Sequence, residues 1–291
     1  MTSPADKLRA LLAKPVLTVM PCCFDALSAK MIEQAGFPLT FMSGFAVSSA
    51  RLGMPDTGLI SYGEMLDQGR NICQRVSIPV IGDGDTGYGN AMNVKRTVRG
   101  YAGAGFASVM IEDQIAPKRC GHTKGKAVVG RDEALQRIRA AVDAREELKA
   151  EGAGDILILA RTDAREDHGL DEGLERARLF KEAGADILFV EALKSEEEMR
   201  TFCSSLPGPK MANLVEQGHT PLLPPEVLED IGYQIAAYPL TIMNAAMTAM
   251  RDALAAMKEG RHPQELMDFA ELRRIVGFDD YYAEEERYAG R

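Results

Sequence analysis

Ala107-Ser108-Val109-Met110-Ile111-Glu112-Asp113-Gln114-Ile115-Ala116-Pro117-Lys118-Arg119-Cys120-Gly121-His122-Thr123-Lys124-Gly125-Lys126 is the stretch from which the architecture can be read. Its apolar start, 107–111, reads as a buried strand. The polar part that follows is broken by Pro117, Gly121 and Gly125, too interrupted for a helix and too long for a simple turn. It gathers two carboxylates, four cations, a thiol and an imidazole. A loop of that length and chemistry on a rigid strand points to binding or catalysis. The alternative, a solvated surface excursion, loses ground once the rest of the chain is read.

Outward from this unit the same pattern recurs. On the N-terminal side, strands at 16–20, 39–44 and 78–83 alternate with helices at 5–14, 25–34, 62–75 and 90–104, with a Gly/Pro-rich connection through Gly53, Pro55 and Gly58. On the C-terminal side, strands at 155–161, 186–191, 210–213 and 233–238 alternate with helices at 131–150, 170–183, 195–205, 224–231 and 240–258. Eight apolar strands, each followed by a helix, predict parallel βα units closed into an α/β (β/α)8 TIM barrel. A doubly wound sheet would require a glycine-rich phosphate turn after its first strand, and Pro21-Cys22-Cys23-Phe24 is not one. The chain therefore reads as a single domain, 1–291, with the barrel over about 16–258 and a C-terminal helical extension over about 259–291. Within that extension 263–276 has helical spacing and an aromatic, acidic tail follows. Tyr281, Tyr282 and Tyr288 on such a tail point to contact between subunits.

Composition narrows the class. A net charge of −9 with no Lys/Arg block argues against nucleic acid or an anionic membrane as partner. No segment approaches the roughly 20 apolar residues of a spanning helix, and the first residues lack a signal-peptide core. Five scattered cysteines without zinc-like spacing fit reduced thiols and a cytoplasmic location.

In a barrel the active site lies at the C-terminal ends of the strands. Those positions carry Ser43 and Gly44, Asp83 and Asp85, Glu112, Arg161 and Asp163, Glu191, and Asn213. Each alone is more often a solvated loop residue. Together, five carboxylates in one mouth would repel unless a cation shared them. Oxygen donors without paired His or Cys suit Mg²⁺, with Mn²⁺ next, and argue against zinc. The run Gly82-Asp83-Gly84-Asp85-Thr86-Gly87-Tyr88-Gly89-Asn90 could instead cradle phosphate, but no Lys-Ser/Thr follows it. Arg161 has the planar fork that grips a substrate carboxylate, or else an ion pair with Glu191 or Asp163. Cys120 follows Lys118 and Arg119, cations that make a thiol usable as acid or nucleophile; the other cysteines read as small core residues.

Asp83-Gly84-Asp85-Thr86-Gly87-Tyr88-Gly89-Asn90, Glu112-Asp113-Gln114, Lys118-Arg119-Cys120-Gly121-His122, Ala160-Arg161-Thr162-Asp163-Ala164 and Ala212-Asn213 resemble, in this order, the isocitrate lyase/phosphoenolpyruvate mutase superfamily. The resemblance implies a Mg²⁺-dependent enzyme acting on a small di-acid, usually a homotetramer whose C-terminal helices exchange between neighbours. It implies that Asp83, Asp85 and Glu112 serve the metal, and that Ser43, Gly44 and Phe45 grip the α-carboxylate with Arg161. Gly121, His122, Glu191 and Asn213 would line the pocket, and Cys120 would be the acid of the carbon–carbon lyases on a gating loop. Family members that cleave tricarboxylates carry Pro-Leu-Ser-x-x-Arg, whereas this chain has Pro239-Leu240-Thr241-Ile242-Met243-Asn244 and, at a second arginine position, Phe269. An unpaired third carboxylate is costly to bury, so isocitrate and methylisocitrate are disfavoured. The resemblance points instead to cleavage of a substituted malate-type 2-hydroxy dicarboxylate, such as 2,3-dimethylmalate, into a 2-oxo acid and a monocarboxylate. Phe41 stands where tricarboxylate lyases often carry a tyrosine, which leaves Asp56 as the candidate general base. A carboxyphosphonoenolpyruvate- or phosphonopyruvate-type mutase, an oxaloacetate hydrolase or decarboxylase, and a catalytically silent barrel used for binding or assembly stay open as alternatives. Pro239, where oxaloacetate-hydrolysing relatives tend to have serine, weighs against the hydrolase.

Overall fold

The computed structural model describes residues 2–119 and 127–289. In chain order the elements are α1 (Pro4–Leu12), β1 (Thr18–Cys23), α2 (Ala26–Gln34), β2 (Thr40–Met42), α3 (Gly44–Leu52), α4 (Tyr62–Cys73), β3 (Val80–Asp83), α5 (Ala91–Ala104), β4 (Ser108–Glu112) and α6 (Arg131–Ala150). They continue with β5 (Leu157–Thr162), α7 (Ala164–His168), α8 (Leu170–Glu182), β6 (Ile187–Val190), α9 (Glu196–Ser205), β7 (Met211–Asn213), α10 (Pro225–Ile231), β8 (Ile235–Tyr238), α11 (Thr241–Lys258), α12 (Phe269–Val276) and α13 (Phe278–Glu286). Among the described residues no helix is long and apolar enough to cross a membrane.

The strands pair in the order β6-β5-β4-β3-β2-β1-β8-β7, every ladder parallel. A bridge from Leu188 to Lys210, with the Leu188 amide on the Pro209 carbonyl at 3.0 Å, joins the two ends into a nearly closed barrel. Strands buried on both faces need apolar side chains at successive positions, which is why they read as short continuous runs rather than alternating ones. The alternation is still there and sorts the core into two layers. Met20, Ile81, Met110, Leu159, Phe189, Met211 and Ile235 belong to one cluster with Ala5 and Leu8 of α1. Val80, Val109, Ile158, Leu188 and Ala236 belong to the other, shared with the surrounding helices. Continuing the first set by two residues gives Asp83, Glu112, Arg161, Glu191 and Asn213. The same period that fills the barrel with apolar side chains thus ends, on five strands, in a polar group at its mouth.

Several boundaries differ from the expectation. β1 covers Thr18–Cys23 instead of 16–20, because Pro21, which lacks an amide, stands where pairing passes from β8 to β2 and so interrupts neither ladder. The stretch after β2 is not a plain connection. Ser43 is the N-cap of α3, its hydroxyl accepting the Ala46 amide at 3.3 Å, and Gly53 closes the helix with φ of 62°. Small residues in Gly44-Phe45-Ala46-Val47-Ser48-Ser49 blurred the helical period there. α7 is likewise a short helix not expected from the sequence. In the C-terminal segment Asp268 caps α12 through the Ala270 amide at 3.1 Å, so that helix starts later than 263. Gly277, at φ of 99°, separates it from α13, and the aromatic tail is helical. The chain forms two compact units, Met1–Ile242 and Met243–Arg291.

Gly82 shows how tightly β3 is backed. A Cβ there would lie 2.6 Å from Tyr101 and 2.7 Å from Phe106, whose rings stack at 4.6 Å. The Tyr101 hydroxyl in turn donates to the Asp83 carbonyl at 2.6 Å. Gly82→Ala should therefore lower stability by about 1–3 kcal/mol through overpacking, measured as the midpoint of urea unfolding. A midpoint equal to that of the parent would show that these rings yield freely.

Candidate active site

The mouth is built first from backbone. After β3 the chain turns through Asp85 at φ of 47°, Gly87 at 83° and Tyr88 at 61°. Left-handed geometry at two non-glycine residues costs of order 1–3 kcal/mol each and is kept only where neighbours dictate it. Here the Asp85 amide donates to the Asp83 carboxylate at 3.0 Å, and its carbonyl accepts the Glu112 amide at 2.9 Å. The turn is thereby docked on β4. From the other side the Gly44 amide, at the start of α3, donates to Asp83 Oδ2 at 3.1 Å. A Cβ on Gly44 would sit 2.5 Å from that oxygen, so glycine is what lets the helix end approach.

A cavity lies over these strand ends. Its charged wall is Asp56, Asp83, Glu112, Lys118, Arg161 and Glu191, with Arg119 and Asn213. Its apolar wall includes Phe41, Phe45, Met110, Phe189, Met211, Val215, Pro239 and Leu240. Arg161 is 8% exposed and is held by three carboxylates. Asp163 takes Nε and Nη2 at 2.8 and 3.0 Å, Glu112 stands 3.3 Å from Nε, and Glu191 stands 3.1 Å from Nη2. Nη1 makes no hydrogen bond to these groups, and the guanidinium lies 5.2 Å from the Phe189 ring centre. Asn213 donates to Glu191 at 3.0 Å, which fixes the amide.

Lys118 is the residue that sequence reading passed over. It was visible only as a neighbour of Cys120. Its ammonium is 6% exposed and sits 2.7 Å from Asp56 and 2.8 Å from Asp85. No local pattern could have foretold a partner 62 positions away. Burial opposes the Lys118 charge, but Asp85, Asp83, Asp56 and Glu112 outweigh it and hold the group well above its ordinary pKa. The same low-dielectric setting acts on the acids. Burial, then Asp85, pushes Asp83 up to about 6, and burial lifts Glu112 well above the usual carboxylate range against the pull of Arg161. Asp56 also accepts from Ser48 at 3.4 Å.

Of the predicted site residues, Phe45, Asp56, Asp83, Glu112, Arg161, Glu191 and Asn213 border the cavity. Ser43 is buried and caps α3, Gly44 is taken up by Asp83, and Asp85 is ion-paired with Lys118 behind the wall. Cys120, Gly121 and His122 lie outside the described residues. As arranged here, no three His, Cys, Asp or Glu side chains among the described residues close around one point as a metal cage. Glu112 Oε1 is nonetheless buried without a hydrogen-bond partner, and acids driven toward protonation stand beside it. Oxygen donors of this kind fit Mg²⁺, which binds through one or two carboxylates and keeps several waters.

Comparison with known proteins agrees with this architecture. A family model described as phosphoenolpyruvate phosphomutase matches residues 8–258. The 2,3-dimethylmalate lyase of Eubacterium barkeri is 42% identical over 98% of both chains. A solved oxaloacetate acetylhydrolase bound to the inhibitor 3,3-difluorooxalacetate superposes with a TM-score of 0.95 at 35% identity, covering 100% of this chain and 98% of that one. A phosphonopyruvate hydrolase in complex with oxalate and Mg²⁺ superposes with a TM-score of 0.85 at 30% identity, covering 98% and 99%. With a family model matching residues 8–258 and a relative 42% identical over 98% of both chains, the chain belongs to the phosphoenolpyruvate mutase/isocitrate lyase superfamily.

Proposed function

We propose that the protein is a Mg²⁺-dependent carbon–carbon lyase that cleaves a substituted malate-type 2-hydroxy dicarboxylate into a 2-oxo acid and a monocarboxylate. The observation that carries this reading is the division of the cavity into a charged wall and an apolar one. Arg161, among Glu112, Asp163 and Glu191, and Lys118, between Asp56 and Asp85, stand on the charged side with Arg119 at the border. The apolar wall of Phe41, Val215, Pro239 and Leu240 suits alkyl substituents better than a third acid. The 42% identity to the 2,3-dimethylmalate lyase supports the same substrate class.

In this reading Asp83, Asp85 and Glu112 hold Mg²⁺, or Mn²⁺ in its place. The bound ion supplies Lewis-acid polarisation of the 2-hydroxyl and its carboxylate. Arg161 offers Nη1 to that α-carboxylate, with Gly44, Phe45 and Ser43 shaping its seat and Glu191 and Asn213 fixing the guanidinium from behind. Asp56, 2.7 Å from the Lys118 ammonium, takes the hydroxyl proton. The C2–C3 electron pair passes to C3, and Cys120 delivers a proton to that carbon from the opposite side. Gly121 and His122 follow it in the sequence. Proton return from Asp56 to the Cys120 thiolate through solvent resets the site. The apolar wall keeps water from quenching the carbanion early.

The partner is a small di-acid; an acidic chain without a basic block does not suit nucleic acid or membrane. On α11, Met247, Met250, Leu254 and Met257 recur at helical spacing and are all exposed, which supports burial against another copy in a cytoplasmic homotetramer with exchanged C-terminal helices.

Dialysis against a chelator should abolish 2-oxo acid release from 2,3-dimethylmalate, and Mg²⁺ should restore it, read by coupled reduction. Full turnover in the chelator would remove the metal from the reaction. Cys120→Ser should lower turnover by roughly 10²–10⁴-fold, the span of a general acid, while oxalate binding in Mg²⁺ is retained. A variant that turns over like the parent would assign the acid elsewhere. A panel of 2-hydroxy dicarboxylates, methylisocitrate and carboxyphosphonoenolpyruvate should give turnover with alkylated malates and little with the others; phosphorus–carbon bond formation would replace the lyase with a mutase.

A further inference from the structure

Directly behind Glu112 and Arg161 stands a buried ion pair that the proposed reaction does not use. Asp113 follows the last residue of β4 and is 1% exposed; Arg176 on α8 is 4% exposed. Arg176 Nη1 donates to Asp113 Oδ2 at 3.0 Å and to the Val129 carbonyl at 2.8 Å, and its Nε is tied to Glu172 at 2.8 Å. Asp113 in turn accepts the Thr162 hydroxyl at 2.7 Å and the Asp163 amide at 2.9 Å. Asp163 is the carboxylate that takes two of the bonds of Arg161. The polypeptide on either side is clamped at the same place: the Val129 amide donates to the Asp113 carbonyl at 2.9 Å and the Ile115 amide to Ala127 at 2.8 Å.

We propose that Asp113 and Arg176 are positioning residues that set the orientation of Arg161 through Asp163 and, by the same bonds, hold the paired segments 113–115 and 127–129 against α8. This rests on the role given above to Arg161 as the carboxylate grip. A pair that served stability alone could be apolar, since desolvating two charges offsets most of their attraction. What an apolar pair cannot do is direct bonds. Asp113 uses both oxygens on β5, one on the hydroxyl of Thr162 and one on the amide of Asp163, so the side chain of Asp163 leaves the strand in one direction only. With Nε and Nη2 fixed by Asp163, the edge of Arg161 that carries Nη1 is aimed from α8, two bonded residues away. Supporting shells of this kind typically change affinity at the site by about 10–100-fold when removed.

The test uses the full-length protein as Asp113→Leu/Arg176→Met, which leaves no lone buried charge, beside Arg176→Met, which does. The single variant should lose melting temperature and the double variant should regain most of it. In the double variant amide exchange at Asp163 and Val129 should be about tenfold faster than in the parent, and the dissociation constant for oxalate in Mg²⁺ about tenfold higher. Thr162→Val keeps both charges and removes one bond to Asp113; it should move both quantities the same way and serves if the double variant does not fold. Parental exchange at Asp163 together with parental oxalate affinity, in a variant that has regained its stability, overturns the proposal. If the parent itself binds no oxalate in Mg²⁺, the role of Arg161 fails instead, and the exchange rate at Asp163 alone then decides whether the pair positions it.

Discussion

One guanidinium among three buried carboxylates is the constraint around which the mouth of the barrel is arranged. Glu112, Asp163 and Glu191 come from the ends of three neighbouring strands, and only a planar cation with donors on several edges can face them all. Removing one member of a buried set costs about 3–5 kcal/mol because the remaining charges are left uncompensated. Arg161 is therefore a condition for those acids being buried. Lys118 plays the matching part on the far side, between Asp56 and Asp85. The two cations divide the acids into two groups, with Asp83 and Glu112 least well provided for. These are the acids that burial drives toward protonation, and Glu112 keeps an oxygen without a partner.

Much of this was legible in the sequence because strand geometry is periodic. Once strands at 78–83, 107–112, 155–161, 186–191 and 210–213 are recognised, the position two beyond the last inward apolar residue is a polar one, and it must point into the mouth. That is why Asp83, Glu112, Arg161, Glu191 and Asn213 could be named without coordinates. Helices rich in small residues were less visible: α3 has the serine cap and glycine stop of a helix, but between them little contrast between faces. Residues whose meaning depends on a distant partner were not visible at all. Nothing local marks Lys118, yet it is buried against Asp56 from a different βα unit. Asp113 is similar, since its partner Arg176 is 63 residues away.

The backbone around the acids has a cost that supports the same view. Asp85 and Tyr88 adopt left-handed conformations in a turn that could have been built from glycine alone. Sequences settle on such a turn where a side chain must leave it in a set direction. Here the direction brings the Asp85 carboxylate to Lys118 while its own amide steadies Asp83. The Tyr101 hydroxyl on the Asp83 carbonyl and the bare Cα of Gly82 keep the strand from shifting under that load.

Charge then bears on the size of the acid that can enter. Among the described residues, six carboxylates around the mouth, Asp56, Asp83, Asp85, Glu112, Asp163 and Glu191, stand with two buried cations, Lys118 and Arg161. A substrate that is itself an anion can enter such a place only with a divalent ion, protons on the least compensated acids, or both. In the proposed reading, two substrate carboxylates would be met by that ion and by Arg161. In that reading a third would lie against Phe41, Val215, Pro239 and Leu240, apolar side chains among the described residues. Burying an ionised carboxylate without a partner costs several kcal/mol, which corresponds to more than a thousandfold in affinity. In the proposed reading, discrimination against tricarboxylates would need no clash: the apolar wall would reject charge by what it fails to supply and favour an alkyl group in its place.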